Sequence, residues 1–385
     1  MEKTADVVII GGGIIGTSIA AFLPEKKAGI IVLLEKGLLG EGSTSRCAGG
    51  IRCQFTTPVN IAFSLLSMKI FENFEEMFGV NPEFHPSGYL FLAATPAEFE
   101  GLKAGAKLQR SFGIDVETLS PGEIKKRWPF LNTDDLSGGT FCAKDGYAGP
   151  YEVLRGYVQK ARARGVKIHE ACEVTDILTK GGKVTGIRTV HGDTISSPIV
   201  VDAAGPYAGV VAKMAGLSIP IRPLKRQLFT TTPFRNLPKE IPLTIDLHAG
   251  WYIRREGNGF LISGPQSDDY GFSLDTDFAG QVFAASHAME RIPVLETVTI
   301  NNSWAGLYAI TPDNHAVIGP HPDLGGFVIA GGFSGHGFQH SPATGIAVSE
   351  LIADGASQTL DIRSLSADRF EKGALNKEIL TAFRD

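Results

Sequence analysis

Cysteine is scarce in this chain: four residues among 385, Cys47, Cys53, Cys142 and Cys172, with no CxxC spacing and no histidine partners at metal-ligand spacing. That excludes a disulfide framework and the usual zinc spacings, so no metal site is expected, and it points to reduced thiols in a cytoplasmic setting. Basic residues are not in surplus. Lys and Arg number 36 against 41 Asp and Glu, a formal charge of −5, which supplies no positive field for nucleic acid or anionic lipid. Long apolar runs are missing as well; none approaches the roughly 18 residues a membrane span requires. The first apolar stretch, Val7 to Ala21, is interrupted by glycines and follows an acid-containing start, unlike a signal peptide.

What is present suits a large globular protein. The length exceeds what one hydrophobic core usually organises, so two domains are expected. Asp6-Val-Val-Ile-Ile10 reads as a strand buried on both faces, Ile14 to Leu23 as a helix stopping near Pro24, and Ile30 to Leu34 as a second strand. Together they form a βαβ unit. Apolar spacing predicts a helix from Ile61 to Phe78, composition a second from Tyr151 to Arg164, and Ile199-Val-Val-Asp-Ala-Ala-Gly205 reads as another buried strand meeting glycine. Between 220 and 310 short strand candidates point to a mostly antiparallel second domain. A last strand, Gly326 to Ala330, runs into Gly331-Gly-Phe-Ser-Gly-His-Gly337, followed by a helix from about Ala343 to Ala353. The tail places Leu375, Ile379, Leu380 and Phe383 on one helical face, as in a docking helix.

Gly11, Gly13 and Gly16 sit between the first strand and its helix, the spacing of a dinucleotide-binding loop. The first glycine permits the turn, the second lets backbone N–H groups approach a pyrophosphate, and the third lets the helix pack on the sheet. Ile14 and Ile15 open the helix whose positive end would face the phosphates. Glu35, followed by Lys36, closes the second strand, where a carboxylate accepts hydrogen bonds from ribose hydroxyls and disfavours a 2′-phosphate. Ser43, Thr44, Ser45 and Arg46 follow, small hydroxyls and a base placed where an extended dinucleotide would continue. That favours FAD over NAD.

These segments, with Gly42 to Arg52, Val201-Asp-Ala-Ala-Gly205, Gly306 to His315 and Ala330-Gly-Gly-Phe-Ser-Gly-His-Gly-Phe338, resemble the FAD-dependent amine oxidoreductases of the D-amino-acid oxidase superfamily. Sarcosine oxidases, the β subunit of heterotetrameric sarcosine oxidase and dimethylglycine dehydrogenase are the nearest likenesses. The resemblance covers nearly the whole chain. It implies an α/β fold with an α+β second domain: a Rossmann-like FAD domain assembled from residues 1–80, 146–219 and 318–385, and a substrate domain from 81–145 and 220–317. By the same resemblance Gly50, Val174, Ala204, Gly205, Gly332, Gly335, His336, Gly337 and Phe338 join the cofactor contacts. Arg52 would grip a substrate carboxylate, and Tyr252, His336 and Gln339 would line the reacting centre, with His248 and Tyr308 as weaker candidates.

The implied reaction is oxidation of the C–N bond of a small primary or secondary amino acid, with hydride passing to flavin N5 and the imine hydrolysing in water. Two alternatives stay open: a 2-hydroxy-acid dehydrogenase, and a flavin subunit of a hetero-oligomeric amine dehydrogenase. The sequence also departs from its likenesses. Gly306 stands where single-chain sarcosine oxidases carry a flavin-linking cysteine, and Ser45 or Arg46 where dimethylglycine dehydrogenase carries a linking histidine. Non-covalent FAD is therefore expected. Gln339 replaces a carboxylate-holding lysine, and Gly264, Pro265 and Gln266 lack the lysine associated with oxygen reduction. Electrons are then expected to pass to a partner protein or quinone.

Overall fold

The protein is described by a computed structural model covering residues 2–265 and 268–378. Val7–Ile10 and Ile31–Leu34 are four-residue strands buried along their whole length. They lie inside a six-stranded sheet ordered 317–320, 327–331, 199–202, 7–10, 31–34 and 167–169. Every pair is parallel except the first, which is antiparallel. Alternation explains the continuous apolar runs. Val7, Ile9, Ile31, Leu33 and Val201 pack with the helices Ile14–Phe22, Pro150–Ala163 and Gly337–Asp354. Val8, Ile10, Val32, Leu34 and Val200 pack on the other face with a three-stranded sheet from 174 to 196 and the helix Ala208–Met214. Both faces are covered, so Val7–Ile10 and Ile31–Leu34 are apolar throughout, and the buried Asp202 at the end of 199–202 is the polar exception.

An eight-stranded sheet takes its strands from 89–142 and 222–310, in the order 300–310, 222–231, 259–263, 251–256, 243–246, 89–93, 138–142 and 117–119. Its two faces differ in chemistry. Leu90, Leu92, Phe229, Trp251, Ile253, Phe260 and Ile262 form an apolar layer with Ala284 and Ala288 of the helix Phe278–Arg291. The residues between them point the other way. The register pairs Tyr89 with Leu243, Ile245 with Tyr252, Leu228 with Ser263, Arg226 with Gly306 and Leu224 with Tyr308. Tyr89, Phe91, Tyr252, Arg226 and Tyr308 therefore share the face opposite the helix.

The chain is thus α/β with an α+β second sheet layer, as expected, but several elements differ from their sequence signals. The helix expected over Ile61 to Phe78 is two, Pro58–Glu72 and Phe74–Phe78. Asn73 separates them, its backbone outside helical geometry and its side-chain amide donating to Lys69 O at 2.7 Å. The helix expected from Ala343 starts at Gly337, because Pro342 forfeits one bond near the start without ending it. In the second sheet the pairing of 243–246 with 89–93 is parallel, the exception to an antiparallel plan. Residues 371–378 form no helix, and Ile379, Leu380 and Phe383 lie outside the described residues. Among the described residues no helix is long and apolar enough to cross a membrane.

Candidate active site

The glycine loop is closed tightly on itself. A Cβ at Gly16 would lie 1.9 Å from Gly11 O, so the helix can approach the strand only with hydrogen at that position. Gly13 caps the helix without a side-chain bond, and no acid sits in the first turn. Ile14 N donates to Thr44 Oγ1 at 2.9 Å, tying the helix start to the 43–46 loop. Glu35 accepts from Gly12 N at 2.6 Å through one oxygen and from Gly37 N at 2.8 Å through the other. An ionised carboxylate has about four acceptor positions, so ribose hydroxyls can still be received. Lys36 Nζ lies over the Tyr207 ring at 3.1 Å, beyond Ala204 and Gly205. Val174 is buried in the same cluster as Ile10 and Leu34.

The serine-rich loop spans the two sheets. Ser43 Oγ donates to Leu307 O at 2.6 Å, Arg46 Nη1 to Ala305 O at 3.2 Å, and Trp304 Nε1 to Arg46 O at 3.1 Å. Ser45 is turned to its own loop, donating to Glu41 O at 3.2 Å. Arg46 Nε is buried with no partner among the described residues, a donor awaiting an acceptor. A glycine cradle, a helix start with no acid in its first turn, a ribose-type acid and an orphaned guanidinium N–H together suit FAD. At Gly306 a Cβ would already lie 3.1 Å from Arg46 Cβ, so a larger side chain is not accommodated there without movement.

The loop from Gly332 to Phe338 lies against the second sheet. Ser334 N donates to Ala309 O at 2.8 Å, and Gly335, at φ +91°, has its α-carbon pressed toward the Tyr308 ring, 2.6 Å from where a Cβ would stand. No side chain fits there. Gly337 begins the long helix, while the Phe338 ring packs on Phe71 at 5.7 Å, so any contribution of Phe338 to the cofactor comes from its backbone.

Toward the second sheet, Gly50–Ile51 pairs with Gly146–Tyr147, and a Cβ at Gly50 would meet Tyr89 Oη at 2.9 Å. Arg52 follows. Its guanidinium is buried, stacked 3.9 Å over Phe55 and 5.2 Å from Phe91, with Nη1 donating to Gln54 O and Nη2 lying 3.4 Å from His336 Nε2. Gln339 Oε1 accepts from Arg52 N at 2.8 Å. The side chain read from the sequence as a substrate contact thus holds the arginine's backbone. Burial, then the charge of Arg52, holds the His336 pKa well below its ordinary value. It is a neutral imidazole.

Opposite stand the tyrosines. Burial raises Tyr252 well above the ordinary phenol value, with Tyr308 beside it in hydrogen-bond contact. His248 lies elsewhere, exposed, its Nδ1 3.1 Å from Glu98, near Asp246 and Arg291 on the apolar side of the sheet. Gln266 lies outside the described residues.

Four residues escaped the sequence reading. Asp145, fully buried, accepts from Cys53 N at 2.9 Å and Gln54 Nε2 at 3.2 Å, and burial pushes its carboxyl up to about 6. It anchors the segment just after Arg52. Tyr89 and Arg226 join the tyrosine face through strand register, a signal available only as alternation along 222–231. Asp202 has one carboxyl oxygen without a partner among the described residues, and burial pushes its carboxyl up to about 8.

Comparison with known proteins agrees with this geometry. The profile of the family described as "DAO: FAD dependent oxidoreductase" matches residues 6–351. The chain is 34% identical to FAD-dependent oxidoreductase domain-containing protein 1 of Xenopus laevis, over 96% of this chain and 83% of that one. It is 31% identical to sarcosine oxidase subunit beta of Rhizobium meliloti (strain 1021), over 97% and 90%. The structure matches L-proline dehydrogenase from P. horikoshii with a TM-score of 0.91 and 32% identity, covering 98% of this chain and 100% of that one.

Proposed function

Because the chain belongs to the DAO family of FAD-dependent oxidoreductases, we propose that it oxidises the C–N bond of a small primary or secondary amino acid of the sarcosine, glycine or proline type. The observation that carries this reading is the buried Arg52 guanidinium facing a tyrosine-lined sheet across the cofactor region. The 11–16 loop, Glu35 and Arg46 would hold FAD, which would supply the two-electron acceptor for the amine's oxidation. The protein's own part is binding and exclusion. Arg52 neutralises the substrate carboxylate and keeps its charge despite burial. Gln339 and Asp145 hold the backbone on either side of it, and Phe55 and Phe91 keep water from its faces. The Tyr252 and Tyr308 hydroxyls, kept neutral by burial, offer hydrogen bonds to the substrate without adding negative charge. The backbone of 332–338 lies where donors would meet the flavin edge.

Oxidation of a hydroxyl would need a base, and the histidines argue against it. His336 is buried beside a cation, which makes it a weak base, and His248 stands on the other side of the sheet. An amine binding in its neutral form needs no such group. The fold boundaries proposed with this reading are 1–80, 146–219 and 318–385 for FAD and 81–145 with 220–317 for substrate. Non-covalent attachment rests on Gly306, which offers no thiol, and on Ser45 and Arg46, which offer no histidine, at the positions where the likenesses carry their links. A reducing, cytoplasmic location rests on four free thiols, and a partner or quinone as electron acceptor on the missing lysine at 264–266.

Anaerobic mixing of the FAD-loaded protein with amino acids and with 2-hydroxy acids, read by loss of oxidised-flavin absorbance, tests the reading without needing the acceptor. Bleaching by sarcosine-, glycine- or proline-type compounds is expected. Bleaching by 2-hydroxyglutarate alone would overturn it, and none at all, with FAD bound, would identify a subunit that works only in a hetero-oligomer.

A further inference from the structure

Resting on Arg46 as an FAD contact, as read above, we propose that Trp304 and Gly306 of the eight-stranded sheet are positioning residues for the cofactor, seating Arg46 so that its remaining buried donor is aimed at FAD. Strand 300–310 is the end strand of that sheet and pairs with 222–231. The serine-rich loop lies along it: Leu307 O accepts from Ser43 Oγ at 2.6 Å, and Ala305 O from Arg46 Nη1 at 3.2 Å. Carbonyls two residues apart leave a strand on the same edge, so this loop covers the edge where a further strand would otherwise pair.

Three contacts fix Arg46. Trp304 Nε1 donates to Arg46 O at 3.1 Å and holds its main chain, while the bond to Ala305 O holds the tip of its guanidinium. Between these points its Cβ passes over Gly306, where an added Cβ would stand 3.1 Å from Arg46 Cβ and 3.4 Å from Arg46 O. Alternation turns residues 304, 306 and 308 to one face of the strand, so Gly306 is the gap between Trp304 and Tyr308 that admits the arginine. A guanidinium is planar and rigid, so with Cβ and Nη1 both held the direction of the Nε–H is set. That N–H is buried and has no partner among the described residues. A buried donor on a cation is costly to leave unbonded, and an acceptor group of FAD would satisfy it.

The 11–16 loop and Glu35 approach FAD from the first sheet, and Arg46 is held for it by the second. FAD affinity therefore depends on two side-chain positions far from the glycine loop in sequence, whichever substrate is oxidised.

Full-length apoprotein of the wild type, Arg46→Ala, Trp304→Phe, Gly306→Ala and the double variant Arg46→Ala/Trp304→Phe is titrated with FAD, read by quenching of flavin fluorescence, with folding checked by circular dichroism. Arg46→Ala should bind FAD roughly 10- to 100-fold more weakly, the scale of a hydrogen bond from a charged donor. Trp304→Phe keeps an aromatic ring and loses the N–H, and should weaken FAD about 5-fold, the scale of one neutral hydrogen bond. In the Arg46→Ala background the same change should cost less than about 2-fold, because the residue it positions is gone. Gly306→Ala should also weaken FAD, since its methyl group presses on Arg46 Cβ. Losses at Trp304 and Arg46 that multiply, or a Gly306→Ala variant that binds FAD as the wild type does, overturn this inference and leave Arg46 as an FAD contact. Unchanged affinity in Arg46→Ala overturns both. Should Trp304→Phe fail to fold, the same cycle run with Gly306→Ala and Arg46→Gly, which removes the crowded Cβ, decides.

Discussion

Nη2 of Arg52 lies 3.4 Å from Nε2 of His336, although 284 residues separate them. One comes from the segment after the serine-rich loop, the other from the last glycine turn before the long helix. With Nε2 accepting from the guanidinium, the histidine proton sits on Nδ1. The contact joins the segment after the serine-rich loop to the glycine turn of 332–337.

Replacing Arg52 by alanine should raise the KM for carboxylate substrates about 100-fold, the scale of losing one partner of a buried charge pair, with a smaller fall in kcat. Steady-state kinetics with an artificial acceptor measures the split. Unchanged KM removes Arg52 from the substrate site.

Glu35→Gln removes the charge and replaces one of the two accepting oxygens by an amide donor, so either Gly12 N or Gly37 N loses its acceptor. Hydrogen bonds to a charged acceptor are worth about 1.5–3 kcal/mol, so FAD should bind roughly 10- to 100-fold more weakly. Titration of apoprotein with FAD, read by fluorescence quenching, checks the loss; equal affinity would place the ribose elsewhere.

Acid precipitation of the holoprotein should leave all yellow colour in the supernatant. The absence of a cysteine at Gly306 and of a histidine at Ser45 or Arg46 predicts it. Flavin in the washed pellet would show a covalent link.

Asp202 should make stability depend on pH in the direction opposite to a salt-bridged acid. Its ordinary value is 3.8 and burial raises it to about 8, so the folded state holds the proton through that window. Its contribution is complete below about 4 and is lost as pH rises toward 8. The melting temperature of Asp202→Asn, measured against wild type at fixed FAD saturation, should gain on the wild type between pH 4 and 8 and level off above. A difference that does not vary with pH would mean that Asp202 is already ionised in the fold.

The sequence by itself determined the dinucleotide domain. Short β-branched runs ending in glycine read as strands buried on both faces, and Gly11, Gly13 and Gly16 mark where backbone approaches backbone or phosphate. These are local steric facts, readable along the chain. Arg52, Tyr252 and His336 stand out as candidates through likeness to a family rather than through spacing. What only the tertiary structure decided was how side chains distant in sequence meet. Gln339 turns out to hold the Arg52 backbone, Asp145 sits behind the same loop, and Arg226 comes to lie beside Tyr308 through a strand register that no local signal specifies. Pairing across a sheet depends on which strands become neighbours, and a one-residue slip would send Arg226 and the tyrosines to the opposite face. The chemistry of the pocket is therefore written in register, which the chain reveals only once it is folded.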